Sequence, residues 1–369
     1  MARGRDPSPL ERHAQALALC TYCPSLCRHA CPVATAESTD TTSPWGLVSL
    51  VEHVRRGLVD LDDEIAEQLY HCAGCRACSD ACVHDNDVEG VLVAARAWAV
   101  SRGVTPFPRE LFERAPLVLD KIRRVDRFER RPAIALLPGR VALETTPRVI
   151  DTLLALCERL DVDAISCGEA AALDVGYELW YAGYHTEFVV QARKVHAALS
   201  GARELVVMSP EALYTLQHVY PRYGLAFEGA LLHTSDLLMQ LLGSAVVQRV
   251  NARVAYHDSC HLARHLDRVE VPRQVLRRVL TQPLVELAAH GRETWCCGAT
   301  GCLPSTAPET ARQQALAVVA LCHEAKVDRV VSFSPECIAA LRAVAPPGLR
   351  VDHAVTLVGE AIIGDTAAG

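Results

Sequence analysis

Cys72-Ala73-Gly74-Cys75-Arg76-Ala77-Cys78-Ser79-Asp80-Ala81-Cys82 is the stretch on which the reading of this chain turns. Its spacing is C-x2-C-x2-C-x3-C. An earlier run, Cys20, Cys23, Cys27 and Cys31, is spaced C-x2-C-x3-C-x3-C and is followed by Pro32. Three close cysteines let a short loop reach three irons of one 4Fe-4S cube, while the fourth points away and serves the other cube. The two runs therefore predict crossed ligand sets: Cys20, Cys23, Cys27 and Cys82 for one cluster, Cys72, Cys75, Cys78 and Cys31 for the other. Two zinc sites are the alternative, but zinc ribbons use two C-x2-C pairs apiece, and neither quartet divides that way.

Helices are expected around the two runs. Trp45 to Arg56 carries Leu47, Leu50, Val51 and Val54 at helical spacing and stops at Gly57. Asp62 or Asp63 can cap a second helix through Leu69 and Tyr70, delivering Cys72. Val88 to Ser101 reads as a third helix, closed by Gly103 and the Pro106-Phe107-Pro108 linker. Residues 10–105 then form an all-α module, with 106–131 as a linker.

The remainder can be laid on itself. Residues Ala133 to Arg140 match Arg253 to Cys260, Ser166-Cys167-Gly168 matches Cys296-Cys297-Gly298, and Leu205 to Ala212 matches Val330 to Cys337. Three matches in one order predict an internal duplication. Helical stretches such as Pro147 to Leu160 and Ala311 to Ala325 lie between them, so each copy reads as an α/β unit with a small parallel sheet. The copies are 132–245 and 252–363, with the break near Gly243 to Asn251.

With these residues in view, the chain resembles known families. Residues 10–105 resemble the helical two-cluster ferredoxin module of succinate and anaerobic glycerol-3-phosphate dehydrogenase iron-sulfur subunits. Cys260, Cys296-Cys297-Gly298 and Ser334-Pro335-Glu336-Cys337 resemble the CCG (cysteine-rich) domain. That domain occurs in heterodisulfide reductase and in iron-sulfur subunits that serve glycolate, lactate and glycerol-3-phosphate oxidation. The resemblance implies a metal site at Cys260, Cys296, Cys297 and Cys337, holding a third, non-cubane 4Fe-4S cluster. Ser334 stands where the full motif has a fifth cysteine. Cys302, just past the turn, is a candidate substitute or a buried thiol. His257 and His261 are candidates for tuning the metal or moving protons, or for closing a turn by hydrogen bonding. In the first copy the matching positions are Arg140, Ser166, Cys167, Ser209 and Ala212. One thiolate cannot hold a cluster, so that copy is expected to be structural.

Composition narrows the function. The 369 residues exceed one ordinary core and predict two or three domains; half are apolar and 22% charged, as in a globular protein. A net charge of -7 disfavours a nucleic-acid binder. Sixteen cysteines with no apolar leader between Met1 and Leu19 predict reduced thiols in a cytoplasmic setting, on the membrane face at most. Cys157 and Cys322 lie on apolar helical faces and read as core. Neither G-x-G-x-x-G nor a Walker-type loop is present, so electrons are expected from a separate flavoprotein. The expected function is that of an iron-sulfur electron-transfer subunit, passing electrons between an FAD-dependent dehydrogenase of a small hydroxy acid and a quinone or other acceptor. The resemblance leaves a thiol/disulfide redox enzyme as one alternative, and a zinc-stabilised scaffold is another.

Overall fold

The structure is a computed structural model; it describes residues 9–113, 134–162, 164–166, 173–199, 201–243 and 247–364, the segment 164–166 by its backbone alone. Cys167 and most of the expected linker lie outside the described residues. The chain divides into two compact units.

One unit comprises Met1–Arg114, Tyr177–Phe188 and Gly298–Gln314. Its described N-terminal part is helical: α1 (Ala14–Thr21), α2 (Pro32–Glu37), α3 (Pro44–Arg55), α4 (Asp63–Gln68), α5 (Ala77–Asp80) and α6 (Val88–Ser101). Local chemistry sets these starts. Ser43 Oγ accepts from Gly46 N at 3.0 Å, Asp62 Oδ1 from Ile65 N at 2.9 Å, and Asp87 Oδ1 from Gly90 N at 3.0 Å. Gly46 is required by closeness, since a Cβ there would stand 2.2 Å from Asp40 O. Leu17 of α1, Leu47, Val48 and Val51 of α3, and Val91, Leu92 and Ala95 of α6 pack into one core. At about 25 cal/mol per Å² of apolar area, this burial is what holds such short helices, which would be marginal alone.

Arg96 interrupts the apolar run of α6, yet it is fully buried. Its Nε and Nη2 donate to Leu69 O at 3.0 and 2.6 Å, and its Nη1 donates to Tyr181 O at 3.0 Å. The guanidinium also lies over the rings of Tyr70 and Tyr181, at 5.2 and 4.3 Å from their centroids.

The other unit comprises Ala115–Gly176, Val189–Cys297 and Ala315–Gly369. It contains two four-stranded parallel sheets. The first has β1 (Ile134–Leu137), β2 (Ala164–Ser166), β3 (Glu204–Val207) and β4 (Ala230–His233) in the order β2-β1-β3-β4. The second has β5 (Val254–Tyr256), β6 (Val285–Glu286), β7 (Arg329–Ser332) and β8 (Arg350–His353) in the order β6-β5-β7-β8. In register, β3 sets Leu205 beside Ala135 of β1, and β7 sets Val330 beside Ala255 of β5. The central strands are near-continuous apolar runs in which successive residues, pointing to opposite faces, are buried alike.

The sheets meet through reciprocal helix pairs. Helix Pro147–Arg159, after β1, packs on Ala354–Ile362, after β8; helix Glu270–Val279, after β5, packs on Thr234–Leu241, after β4. Likewise Arg140–Thr145 packs on Pro335–Arg342, and the turn His261–His265 on Pro210–Tyr214. No described helix is long and apolar enough to cross a membrane.

Candidate metal centres

Two recesses open in the helical unit. The first is lined by Cys20, Cys23, Cys27 and Cys82 together with Leu19, Leu26, Trp45, Val83 and Asn86. Cys20 closes the last turn of α1, and Cys23 follows it in a turn, its N–H donating to Cys20 O at 3.0 Å. Cys82 arrives from the far run, just after α5. Asn86 Nδ2 donates to Cys20 Sγ at 2.8 Å and to Ala16 O at 2.9 Å. Burial pushes the Cys20 thiol up to about 11, against the pull of that Asn86 hydrogen bond.

The second recess is lined by Cys31, Cys72, Cys75 and Cys78 with Leu47, His71, Gly74, Arg76, Glu89 and Leu92. Here Cys31 is the visitor, at the start of α2. Gly74 and Arg76 turn the loop with φ of 63° and 58°. A Cβ on Gly74 would stand 2.7 Å from the Tyr181 hydroxyl, so only glycine fits this bend. Donors point at sulfur, among them Ala34 N to Cys31 at 3.5 Å, Gly74 N to Cys72 at 3.4 Å, and Tyr181 Oη to Cys72 at 3.4 Å. Burial pushes Cys31 to about 12 and raises Cys72 and Cys78. Thiols held this high are protonated at neutral pH, so a metal entering either recess must displace their protons. Each recess thus joins three cysteines of one run to one of the other. An all-thiol donor set with hydrogen-bond donors aimed at sulfur fits an iron-sulfur centre.

The third group lies at the carboxyl ends of β5 and β7. His257-Asp258-Ser259-Cys260 leaves β5, Cys337 sits in the first turn of helix Pro335–Arg342 after β7, and Cys296-Cys297 comes in on the loop after Gly291–Glu293. All four cysteines are buried, and the thiols of Cys260 and Cys296 are 3.9 Å apart. Ligating atoms of His257, Cys297 and Cys337 lie within 4.8 Å of one another. The neighbouring Cys297 thiol, hydrogen-bonded to Cys337, acts together with burial to push Cys337 well above the ordinary thiol range. Burial lowers His257 to about 4, so its imidazole is neutral. Buried thiols and a neutral imidazole are a donor set that fits a thiophilic metal or an iron-sulfur centre.

The loop is pinned by charge. Arg273 donates from Nη1 and Nη2 to the two oxygens of Asp258, each at 2.7 Å, and from Nε and Nη2 to Glu286 at 2.9 and 2.8 Å. Asp258 Oδ2 also accepts from Gly291 N at 2.7 Å, and Asp258 O from Thr294 Oγ1 at 3.0 Å. The same residue therefore fixes both the Cys260 strand end and the segment that delivers Cys296.

His261 stacks on His265 with ring centroids 4.1 Å apart; its Nδ1 is 3.7 Å from Cys260 Sγ and 3.4 Å from Glu211 Oε1. Ser334 Oγ accepts from Cys337 N at 3.2 Å and donates to Glu336 Oε2 at 2.8 Å, capping its helix. Cys302 is buried with its thiol 3.8 Å from Glu178 O, both in the helical unit. In the first half, Arg140 pairs with Glu144 at 2.8 Å, Ser209 Oγ accepts from Ala212 N at 3.3 Å, and Cys167 and the Ser166 side chain are not described. Glu211, its carboxyl raised well above the usual range by burial and by Glu336, is a buried acid that spacing alone does not single out. Its one sequence signal is the Ser-Pro-Glu repeated at 209–211 and 334–336. Asn86 and Arg273 leave no sequence signal comparable to the cysteines.

Comparison with known proteins agrees with this geometry. Residues 16–86 match the 4Fe-4S dicluster domain, and residues 254–342 match the cysteine-rich domain, CCG. A subunit of the fumarate reductase (CoM/CoB) of Methanothermobacter marburgensis is 26% identical over 86% of this chain and 66% of its own length. A probable membrane-anchored ferredoxin of Chromohalobacter salexigens is 26% identical over 80% of this chain and 48% of its own. The chain thus spans less than two thirds of the length of these two relatives. A subunit of the dihydromethanophenazine:CoB--CoM heterodisulfide reductase of Methanosarcina barkeri is 22% identical over 81% of this chain and 79% of its own. A hypothetical protein from Helicobacter pylori shares the fold, with a TM-score of 0.58 at 9% identity over 95% of this chain and 75% of that one. The chain thus carries matches to a 4Fe-4S dicluster domain and to a cysteine-rich domain, and over most of its length it is similar to subunits of a fumarate reductase and a heterodisulfide reductase.

Proposed function

We propose that the chain is an iron-sulfur electron-transfer subunit of an oxidoreductase complex, working between a flavoprotein dehydrogenase of a small hydroxy acid or similar substrate and a quinone or other acceptor. The observation that carries this reading is the pair of recesses, each lined by four cysteines drawn from both runs. Cys20, Cys23, Cys27 and Cys82 would hold one 4Fe-4S cluster, and Cys31, Cys72, Cys75 and Cys78 the other. Cys260, Cys296, Cys297 and Cys337 would hold a third centre. Such clusters, when bound, supply reversible one-electron transfer. The chain's own part is to exclude water and set the charge around sulfur. Exposed Leu19, Leu26 and Val83 border the first recess and would face a redox partner.

In this reading the two α/β halves, 132–245 and 252–363, arose by duplication, and their shared strand order and reciprocal helix pairs support it. The first half has kept the fold and lost its ligands, with Arg140, Ser209 and Ala212 at the matching positions. That loss favours a carrier over a thiol/disulfide enzyme acting between two such centres. The proposed setting is cytoplasmic or peripheral on a membrane.

Anaerobic iron and sulfide quantification with electron paramagnetic resonance tests the proposal. About eight irons per chain are expected from the N-terminal pair and about twelve with the third site filled. A colourless, zinc-loaded protein would sink it.

Hydrogen bonds to cluster sulfur favour the reduced, more negative state. Asn86→Leu is therefore expected to lower the potential of the first cluster, and Tyr181→Phe that of the second, each by an amount on the order of tens of millivolts. Potentiometric titration followed by paramagnetic resonance separates the two, and an unchanged potential would show that the bonded sulfur carries no cluster.

A further inference from the structure

We propose that His257 is a direct metal ligand of the C-terminal centre, its imidazole completing a donor set with Cys297 and Cys337. The proposal deepens the reading of that site and rests on its holding metal. Three observations carry it. The ligating atoms of His257, Cys297 and Cys337 lie within 4.8 Å of one another, and all three residues are buried. A tetrahedral centre with metal–sulfur bonds of ~2.3 Å and metal–nitrogen bonds of ~2.0 Å places its donors roughly 3.5–3.8 Å apart. A contraction of about 1 Å thus closes the set, within reach of side-chain torsions alone.

The second observation is where the donors stand. His257 N donates to Val331 O at 2.9 Å, which carries the β5–β7 ladder one residue past the end of β5. Cys337 rises from the first turn after β7, the neighbouring strand. His257 is therefore fixed by the end of the ladder and Cys337 by the helix that leaves the neighbouring strand, so two of the three donors stand on regular elements, as ligands must to keep their geometry.

The third is what the hydroxyl at the motif's fifth cysteine position does. Ser334 Oγ is taken up as the cap of helix Pro335–Arg342, accepting from Cys337 N and donating to Glu336. An engaged neutral hydroxyl is a poor partner for a thiophilic metal, whereas an imidazole is a good one. Imidazole in place of a thiolate also removes a negative charge from the centre, which raises the potential of an iron-sulfur site.

The test uses the full chain, isolated anaerobically and labelled with 15N-histidine. With iron in the C-terminal centre, pulsed paramagnetic resonance is expected to show coupling to one imidazole nitrogen; with zinc there, X-ray absorption at the zinc edge is expected to show one nitrogen among sulfur donors. His257→Ala should lose that coupling together with the metal of this site, leaving about eight irons. His257→Cys, which offers a sulfur donor at the same place, should regain the metal, lack the nitrogen coupling and titrate at a lower potential. This second variant also separates ligation from simple misfolding. If His257→Ala keeps full metal content and an unaltered spectrum, the proposal is overturned. A wild-type chain with about eight irons and neither zinc nor iron at the C-terminal site also overturns it, while the carrier reading, which stands on the N-terminal pair, survives. Loss of all iron would instead end the carrier reading.

Discussion

Arg273→Met is expected to destabilise the second α/β half by about 3–5 kcal/mol and to empty the Cys260, Cys296, Cys297 and Cys337 site, while the signals of the N-terminal clusters persist. The side chain it removes is 2% exposed and neutralises Asp258, itself 1% exposed, through two bonds of 2.7 Å. Methionine is close to it in volume and keeps most of the packing against Tyr256, so the loss is electrostatic. The Asp258 carboxylate would keep the Gly291 N–H as a donor but lose its counter-charge. An uncompensated charge in a dry interior is among the costliest changes a core can suffer. Because the same residue ties the Cys260 strand end to the segment before Cys296, its release should loosen both ligands together. Arg273→Met with Asp258→Asn removes both charges and should recover part of the stability. Glu286→Gln, on a carboxylate 31% exposed, should cost under about 1 kcal/mol. Amide hydrogen exchange across residues 254–297 reads the effect locally, which suits a chain too large for two-state unfolding. Protection equal to wild type in Arg273→Met would refute the account.

The parts of this fold that are legible in the sequence are those written in local chemistry. Helix α6 runs from Val88 to Ser101 as its periodicity predicts, and Asp62 caps α4 as its position predicts. The strands fall on the apolar runs at 134–137, 204–207, 254–256 and 329–332, because a strand buried on both faces must be apolar nearly throughout. What is not legible depends on contacts between distant segments. Tyr177–Phe188 and Gly298–Gln314 belong with the helical unit. Periodicity identifies which face of a helix is buried but is silent on the partner that buries it. In the sequence Arg96 is only a polar break in an apolar run; it is buried because the carbonyls of Leu69 and Tyr181 and two tyrosine rings receive it. Glu211 is the same kind of case. Glu336 and His261 make its environment from far along the chain, a separation that local spacing cannot express, and only the repeated Ser-Pro-Glu hints at it.

Exchange of single cysteines between the two recesses should give opposite losses. Cys82→Ser is expected to remove the cluster of Cys20, Cys23 and Cys27, although Cys82 belongs by sequence to the second run. Cys31→Ser is expected to remove the cluster of Cys72, Cys75 and Cys78. Each variant should retain about four of the eight N-terminal irons and one of the two spectral signatures. The reason is spatial: Cys82 lines the recess of the first run, beside Leu26 and Asn86, and Cys31 lines that of the second, beside Gly74 and Leu92. Serine matches cysteine closely in volume, so packing is preserved and only the thiolate is lost. The signatures can be told apart beforehand, because Asn86→Leu shifts the potential of one cluster and Tyr181→Phe that of the other. In Cys82→Ser the surviving signal should be the one that Tyr181→Phe moves, and in Cys31→Ser the one that Asn86→Leu moves. If Cys82→Ser instead spares the Asn86-dependent signal and abolishes the Tyr181-dependent one, each run wraps its own cube. The short α5, which carries the chain from Cys78 to Cys82, would then have to turn Cys82 back toward the second recess, whereas here it delivers that thiol to the first.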